Sequence, residues 1–403
     1  MRVAILGDYP LDHDRIRGGV EAVISYLVSE LKKFEDLELH VVTLREDVRQ
    51  RCVYKRENDF TVHYLPAAYR FANVTFFAVN KVKLLRELAV IRPDLIHAHV
   101  AGTYAEVAYM TGLPTVLTLH GIRYRGSWLQ RGWVNRLVRR PLITREERAG
   151  VRKARHIIAI SPYICEEFGS LIRATVYPIE NPIADRFFQI QNHEEPGRIL
   201  YAGRIAVGKG IPHLIQAFAC VHDHVPTARL YLAGRVDDDS CWQLAQSIVQ
   251  NFRLDRVVHF LGPLDEDSLL KEYERCTLLV LPSCQETAPM VIQQAMAAGK
   301  AVIATRIGGV PYLVSHGETG LLVDYGDVTG LAEAIIHLLS DDTLRTRMGE
   351  QAQKEAFQRF RAAVVARQTY EVYHKIVEEH DLIRGKPWEG FLASMTQKWL
   401  ESS

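Results

Sequence analysis

The sequence places a carboxylate, a proline and a carboxamide along one short stretch, QETAPMVIQQAMAAG at residues 285–299. Pro289 suits the first position of a helix, because the N–H that it lacks would be unpaired there in any case. The amides of Met290 and Val291 then have no intrahelical acceptor and sit at the positive end of the helix dipole, a seat for phosphate. With helical spacing throughout, Glu286 and Gln294 stand ~12 Å apart at about 1.5 Å per residue. A nucleotide sugar spans that length, with hexose hydroxyls donating to Glu286, pyrophosphate at the helix tip and ribose hydroxyls meeting one acceptor and one donor on Gln294. A buried helix with a polar stripe accounts for Ala295, Met296 and Ala297, but it leaves Glu286 ahead of the helix start without a reason.

Two further loops carry matching chemistry. YAGRIAVGKG (201–210) leaves an apolar run through Gly203, carries Arg204 and Lys209, and re-enters a helix at Ile211 and Pro212. Arg offers a forked donor and Lys a mobile point charge, so the pair can neutralise a departing diphosphate without a metal; two solvated surface cations are the bland alternative. GGVE (18–21) opens a helix with two glycines, Gly18 and Gly19, whose bare backbone can approach an anion. Gly7 is followed by no glycine until Gly18, so there is no GxGxxG and a dinucleotide-dependent dehydrogenase is disfavoured. Asp237, Asp238 and Asp239 suggest a metal–diphosphate site, but a solvated loop with a capping aspartate fits better beside a cationic clamp. His97 and His99 share a strand face with no third ligand evident, which favours core or cleft-lining histidines over a metal.

These loops need a scaffold, and the pattern around them supplies one. Short continuous apolar runs (VAILG, LHVVTL, TVHYLP, LIHAHV, TVLTLH and HIIAIS, then RILYAG, RLYLAG, VVHFLG, LLVLPS, AVIAT and GLLVD) read as strands covered on both faces. Helical patterns lie between them, such as Val20, Ile24, Leu27 and Leu31. The alternation implies an α/β protein of two doubly wound parallel sheets, and the 403 residues are enough for two domains. The seam is expected near residue 190, giving a first domain over 1–188, a second over 189–373, and a segment 374–403 that returns to the first. A net charge of +1 from 49 basic and 48 acidic residues offers no field for nucleic acid. Six scattered cysteines without a CxxC pair imply a reducing cytosol, and no apolar run approaches bilayer length, so the expectation is a cytoplasmic protein, peripheral to a membrane at most. The stretch from Arg123 to Arg155 concentrates arginines with Trp128 and Trp133. It suits an anionic membrane surface or a lipid-pyrophosphate acceptor, and equally a cleft lining or a solvated face.

GRIAVGKG together with PSCQETAPMVIQQAMAAGKAVIATRIGGVPYLV resembles the signature of the family 4 retaining glycosyltransferases, and GGVE, LIHAHV, TLHG, SPYI and IEN extend the likeness over most of the chain. The resemblance implies the GT-B fold, two Rossmann-like domains facing across a cleft. It implies that Arg204 and Lys209 hold the donor diphosphate, that Gly19 meets it from across the cleft, and that Glu286 orients the transferred sugar. By the same likeness the backbone at Met290 and Val291 contacts phosphate beside Gly203, the backbone near Leu264 holds the base, and His120 lies near the sugar. Gly18, His99 and Arg123 are assigned to the acceptor side. The reaction implied is retaining transfer of a hexose from a nucleoside-diphosphate sugar, UDP-glucose by default, to a carbohydrate or lipid-linked hydroxyl, with no metal or other cofactor. One position departs from the family pattern: a glutamate is expected where Gln294 stands, which weakens donor affinity by ~1 kcal/mol through loss of a charge-assisted bond. A non-catalytic nucleotide-sugar binder and a nucleotide-sugar epimerase on the same fold are the alternatives.

Overall fold

The computed structural model describes residues 1–12, 16, 18–56, 60–68, 78–128 and 135–384. Its strands are β1 (Arg2–Leu6), β2 (Glu38–Arg45), β3 (Cys52–Arg56), β4 (Phe60–Pro66), β5 (Leu95–His99), β6 (Thr115–Leu119), β7 (His156–Ala159) and β8 (Thr175–Pro178). A second group follows as β9 (Arg198–Ala202), β10 (Arg229–Ala233), β11 (Val258–Gly262), β12 (Leu278–Leu281), β13 (Ala301–Thr305) and β14 (Gly320–Val323). Every residue of β5, β9, β12 and β13 is buried, as continuous apolar runs require when helices cover both faces.

The first sheet runs β3-β4-β2-β1-β5-β6-β7-β8 and the second β11-β10-β9-β12-β13-β14. All neighbours are parallel except β3 and β4. In each sheet the order reverses beside its first strand, between β1 and β5 and between β9 and β12. A doubly wound sheet opens a crevice at such a switch, beyond the carboxyl ends of its strands. The loops carrying Gly18 and Gly19, and those carrying Arg204, Lys209 and Glu286, leave these central strands.

All twelve apolar runs form strands, and two strands carry no such run. In β3 the side chains of Val53 and Tyr54 are exposed on a sheet edge, and the four residues of β8 are nowhere fully buried. Edge strands bury too little to leave a continuous apolar signal.

Residue 190 falls between β8 and β9. The return to the first domain begins at Ala362, ahead of residue 374 where the sequence pattern put it. Helix Ala362–Arg384 lies against helix Gly19–Leu31, burying Val365, Ala366, Tyr373 and Ile376 in the core of the first sheet. Phe34 and Tyr370 stack with ring centroids 4.2 Å apart. The chain therefore crosses between sheets twice, and the crossings are bonded to each other: Ile183 N–H donates to Phe360 O at 2.7 Å, and Ala362 N–H to Ile183 O at 3.0 Å. Arg359 and Arg361 form ion pairs with Glu180 and Asp185 on the first crossing. Trp388, Phe391 and Trp399, with the rest of 385–403, lie outside the described residues, as does Trp133. Among the described residues no helix is long and apolar enough to cross a membrane.

Candidate active site

The second sheet contributes cations and a carboxylate held by close backbone contacts. Gly210 has φ +71, and a Cβ there would come within 2.0 Å of Pro282 O, so only glycine lets the loop after β9 lie against the loop after β12. Cys284 N–H donates to Gly208 O at 2.8 Å and ties the same loops. Lys209 and Glu286 meet across this junction, Nζ to Oε1 at 2.5 Å. Lys209 keeps two further N–H donors for an anion. Arg204 donates to Asp237 Oδ2 at 3.1 Å, and Arg235 Nε donates to Asp237 Oδ1 at 2.6 Å. The Arg235 and Arg204 guanidiniums hold the Asp237 carboxyl below its ordinary range. Asp238 caps helix Asp239–Asn251 by accepting from Cys241 N–H at 2.8 Å, the capping role expected within the Asp run.

Glu286 is fixed by a loop from the next strand. After β13, Gly309 N–H donates to Glu286 O at 3.1 Å. A Cβ on Gly309 would lie 1.7 Å from Thr287 O, and one on Gly308 would lie 2.1 Å from Glu286 O. The two glycines press against the backbone that carries the carboxylate. The sequence contained this signal in RIGGVP, but its role had no local reading because the contact joins two separate βα loops.

Helix Met290–Ala297 follows, and Pro289 is its N-cap rather than its first residue, with extended ψ of 116°. The amides of Met290 and Val291 still precede the intrahelical ladder, since the first bonds run from Ile292 and Gln293 to Pro289 O. The helix does not extend back to Glu286, so the ~12 Å helical ruler holds only from Met290 onward, ~6 Å to Gln294. The buried Gln294 Oε1 accepts from Tyr273 O–H at 3.3 Å, so part of its acceptor capacity is used within the protein.

The first sheet faces this half with Gly18 as N-cap of helix Gly19–Leu31. A Cβ on Gly19 would sit 3.7 Å from Met290 Sδ, which places that helix tip opposite the tip of helix Met290–Ala297. Further along the helix Tyr26 donates to Glu266 of the second domain, a carboxylate also paired with Arg186 at 3.0 Å. Burial and the Glu266 charge push the Tyr26 hydroxyl far above its ordinary pKa. The loop after β6 supplies His120, whose Nε2 lies 2.7 Å from His99 Nδ1.

Together these residues line one cleft of about 730 Å³, with Gly18, Gly19, His120, Gly203, Arg204, Lys209, Leu264, Glu286, Met290, Val291 and Gln294 on its walls. Asn181, Tyr26, Arg235 and Glu266 also line it and were not picked out from sequence. Two expected acceptor-side residues do not reach it. His99 is buried behind His120. Arg123 turns away to Ala101 O at 2.8 Å and Glu146 at 3.0 Å, because the buried Glu147 carboxylate accepts the Arg123 and Tyr124 amides and fixes the helix start with the guanidinium aimed at helix Arg140–Lys153.

The arrangement joins an ammonium–carboxylate pair, two exposed guanidiniums and a helix tip in one open crevice. Residues 183–355 match the family model for glycosyl transferases group 1, and residues 17–185 match that for glycosyltransferase family 4. The chain is 30% identical over 291 residues to a glycogen synthase of Mycobacterium tuberculosis, covering 70% of this chain and 69% of the relative. In structure it is similar to sucrose-phosphate synthase from Thermosynechococcus elongatus, with a TM-score of 0.78 and 22% identity, covering 94% of this chain and 99% of the other. The Anabaena protein HepE, solved in complex with UDP-glucose, superposes with a TM-score of 0.69 at 19% identity, covering 93% and 100%. Both structures have the GT-B fold of two sheets about a cleft, and this chain shares it.

The glycine clamp gives a direct test. Gly309→Ala forces a methyl against Thr287 O and is expected to cost about 1–3 kcal/mol, read as a lower denaturant midpoint. Gly126→Ala, in a helix where a methyl meets nothing within 4 Å, is the control expected to leave the midpoint unlowered or slightly raised.

Proposed function

The chain belongs to the group 1 glycosyltransferases of family 4, and from that premise we propose that it moves a hexose, with retained configuration, from a nucleoside-diphosphate sugar to a carbohydrate or lipid-linked hydroxyl. UDP-glucose is the proposed donor, supported by the HepE complex. The observation that carries the reading is the Lys209–Glu286 pair beside the free amides of Met290 and Val291. In this reading the diphosphate lies between Arg204, Lys209 and the helix tip, with the Gly19 tip opposite. Glu286 accepts from the hexose hydroxyls, the backbone near Leu264 meets the base, and Gln294 donates its amide to the ribose.

The step needs no covalent nucleophile. The bond from the anomeric carbon to the diphosphate oxygen breaks as the acceptor oxygen bonds to that carbon on the same face, and the acceptor's proton passes to the departing phosphate oxygen. Arg204, Lys209 and the helix tip stabilise the negative charge that develops there, so metal-independent transfer is part of the proposal. Six free cysteines fit a reducing compartment, and we place the reaction in the cytoplasm.

Membrane contact belongs to the same proposal. The exposed apolar Trp128, Leu137, Val138 and Leu142 lie among the exposed Arg136, Arg139 and Arg145 of the first domain. That mixture suits an anionic bilayer surface.

Four measurements test the reading. Purified protein is expected to release nucleoside diphosphate from one member of a nucleotide-sugar panel when an acceptor is present, equally with and without chelator. Lys209→Ala should lower turnover at least about a hundredfold while the fold is kept; chelator sensitivity, or an active Lys209→Ala protein, counts against the clamp. Gln294→Glu should stay active and tighten donor binding up to about tenfold through a charge-assisted bond, seen by titration calorimetry. Vesicles containing anionic lipid should co-sediment the protein at low salt, and Leu137→Asp with Leu142→Asp should abolish this.

A further inference from the structure

Three histidine rings stack from beneath the first sheet to the cleft. The centroids of His97 and His99 are 4.2 Å apart, and those of His99 and His120 are 4.9 Å apart. His97 is occupied at both ends, Nδ1 with Tyr373 O–H and Nε2 with Thr118 Oγ1, each at 2.6 Å. His99 Nδ1 meets His120 Nε2 at 2.7 Å, while His99 Nε2 is buried with no partner. Burial lowers all three pKa values, His97 to about 3 and His120 to about 4, so the rings are neutral at pH 7 and each carries one N–H.

The shared hydrogen can be arranged in two ways. If His120 donates from Nε2, then His99 must carry its own hydrogen on Nε2, where it is buried and unpaired. That arrangement also leaves His120 Nδ1 as a bare lone pair. The side chain of Asn181 approaches the His120 ring, and its Nδ2 donates to Ala288 O at 3.2 Å, leaving the buried Oδ1 as an acceptor without a well-formed hydrogen bond. If His99 donates from Nδ1, the orphan is only a lone pair, and His120 carries its hydrogen on Nδ1, where a ligand in the cleft can accept it. Buried unpaired N–H groups are the rarer and costlier defect, so the second arrangement wins.

We propose that His99 is a positioning residue that fixes His120 in the Nδ1–H form, so that His120 donates a hydrogen bond to a substrate oxygen in the cleft and does not accept the attacking hydroxyl's proton. The identity of that substrate rests on the function proposed above; the tautomer does not. The proton of the attacking hydroxyl must then leave by another group, in agreement with transfer to the departing phosphate.

Two-bond proton–nitrogen correlation spectra of protein labelled at histidine nitrogen report which ring nitrogen is protonated, and loss of signals in His120→Gln assigns the ring. In wild-type protein, with and without UDP, His120 is expected as the Nδ1–H tautomer; an Nε2–H ring overturns the inference. His99→Asp replaces the donor by an acceptor and should shift the hydrogen to His120 Nε2, lowering kcat about tenfold with donor KM little changed. His99→Asn, whose amide can donate in place of Nδ1, should restore the Nδ1–H ring and part of kcat. A His99→Asp protein with shifted tautomer and wild-type kcat removes the donor role. Failure of every sugar donor defeats the proposed function, while the wild-type spectrum still decides the tautomer.

Discussion

The approach of the β9 and β12 loops to one another governs the rest of the site. Their strands flank the point where the second sheet changes direction, and the loops can touch only because Gly210 permits a left-handed turn hard against Pro282. That contact brings Lys209 to Glu286 at 2.5 Å. An ammonium and a carboxylate on separate loops of this kind normally dissolve into solvent, since an exposed pair contributes little. Here both are largely buried, and each is supported from behind: Lys209 by the turn at Gly208 and Gly210, Glu286 by Gly308 and Gly309. The pair thus stands as a braced corner of the cleft, where the two loops meet.

Opposite this corner the first domain supplies mainly backbone and neutral donors. Gly18 and Gly19 present a bare helix tip, and the histidine line ends in a ring kept neutral by burial. The division has an electrostatic logic. The ammonium–carboxylate pair and the two guanidiniums stand on the second domain's wall, and uncharged hydrogen-bonding groups face them from the first. Asp237 tempers the cationic side by accepting from both Arg204 and Arg235, which offsets part of their charge.

Much of this was legible in the residues. Continuous apolar runs mark strands covered on both faces, and glycine, cation and proline punctuation marks the loops that leave them, so the two sheets and the loops that meet in the cleft could be read directly. What was hidden depends on contacts distant in the chain. The βα loops at 286 and 309 touch through backbone, and the glycine pair in RIGGVP does not say which distant loop it meets. His99 reads as a cleft residue because strand alternation places it with His97 on one face, but it cannot show that His120 stands in front. Arg123 lies in a basic stretch, and only the burial of Glu147 reveals that the guanidinium is drawn away. Strands β3 and β8 escaped because edges need no apolar continuity.

The doubled crossing between the sheets has a mechanical meaning. Ile183 and the segment at Phe360 to Ala362 run side by side with mutual backbone hydrogen bonds, and the ion pairs Arg359–Glu180 and Arg361–Asp185 flank them. A lone connecting strand would act as a loose string, free to twist and slide. Two bonded strands behave as a leaf spring: they flex about one axis and resist lateral shear. Any hinge between the halves would therefore have to bend both segments together, and sideways slip would have to break the bonds that join them.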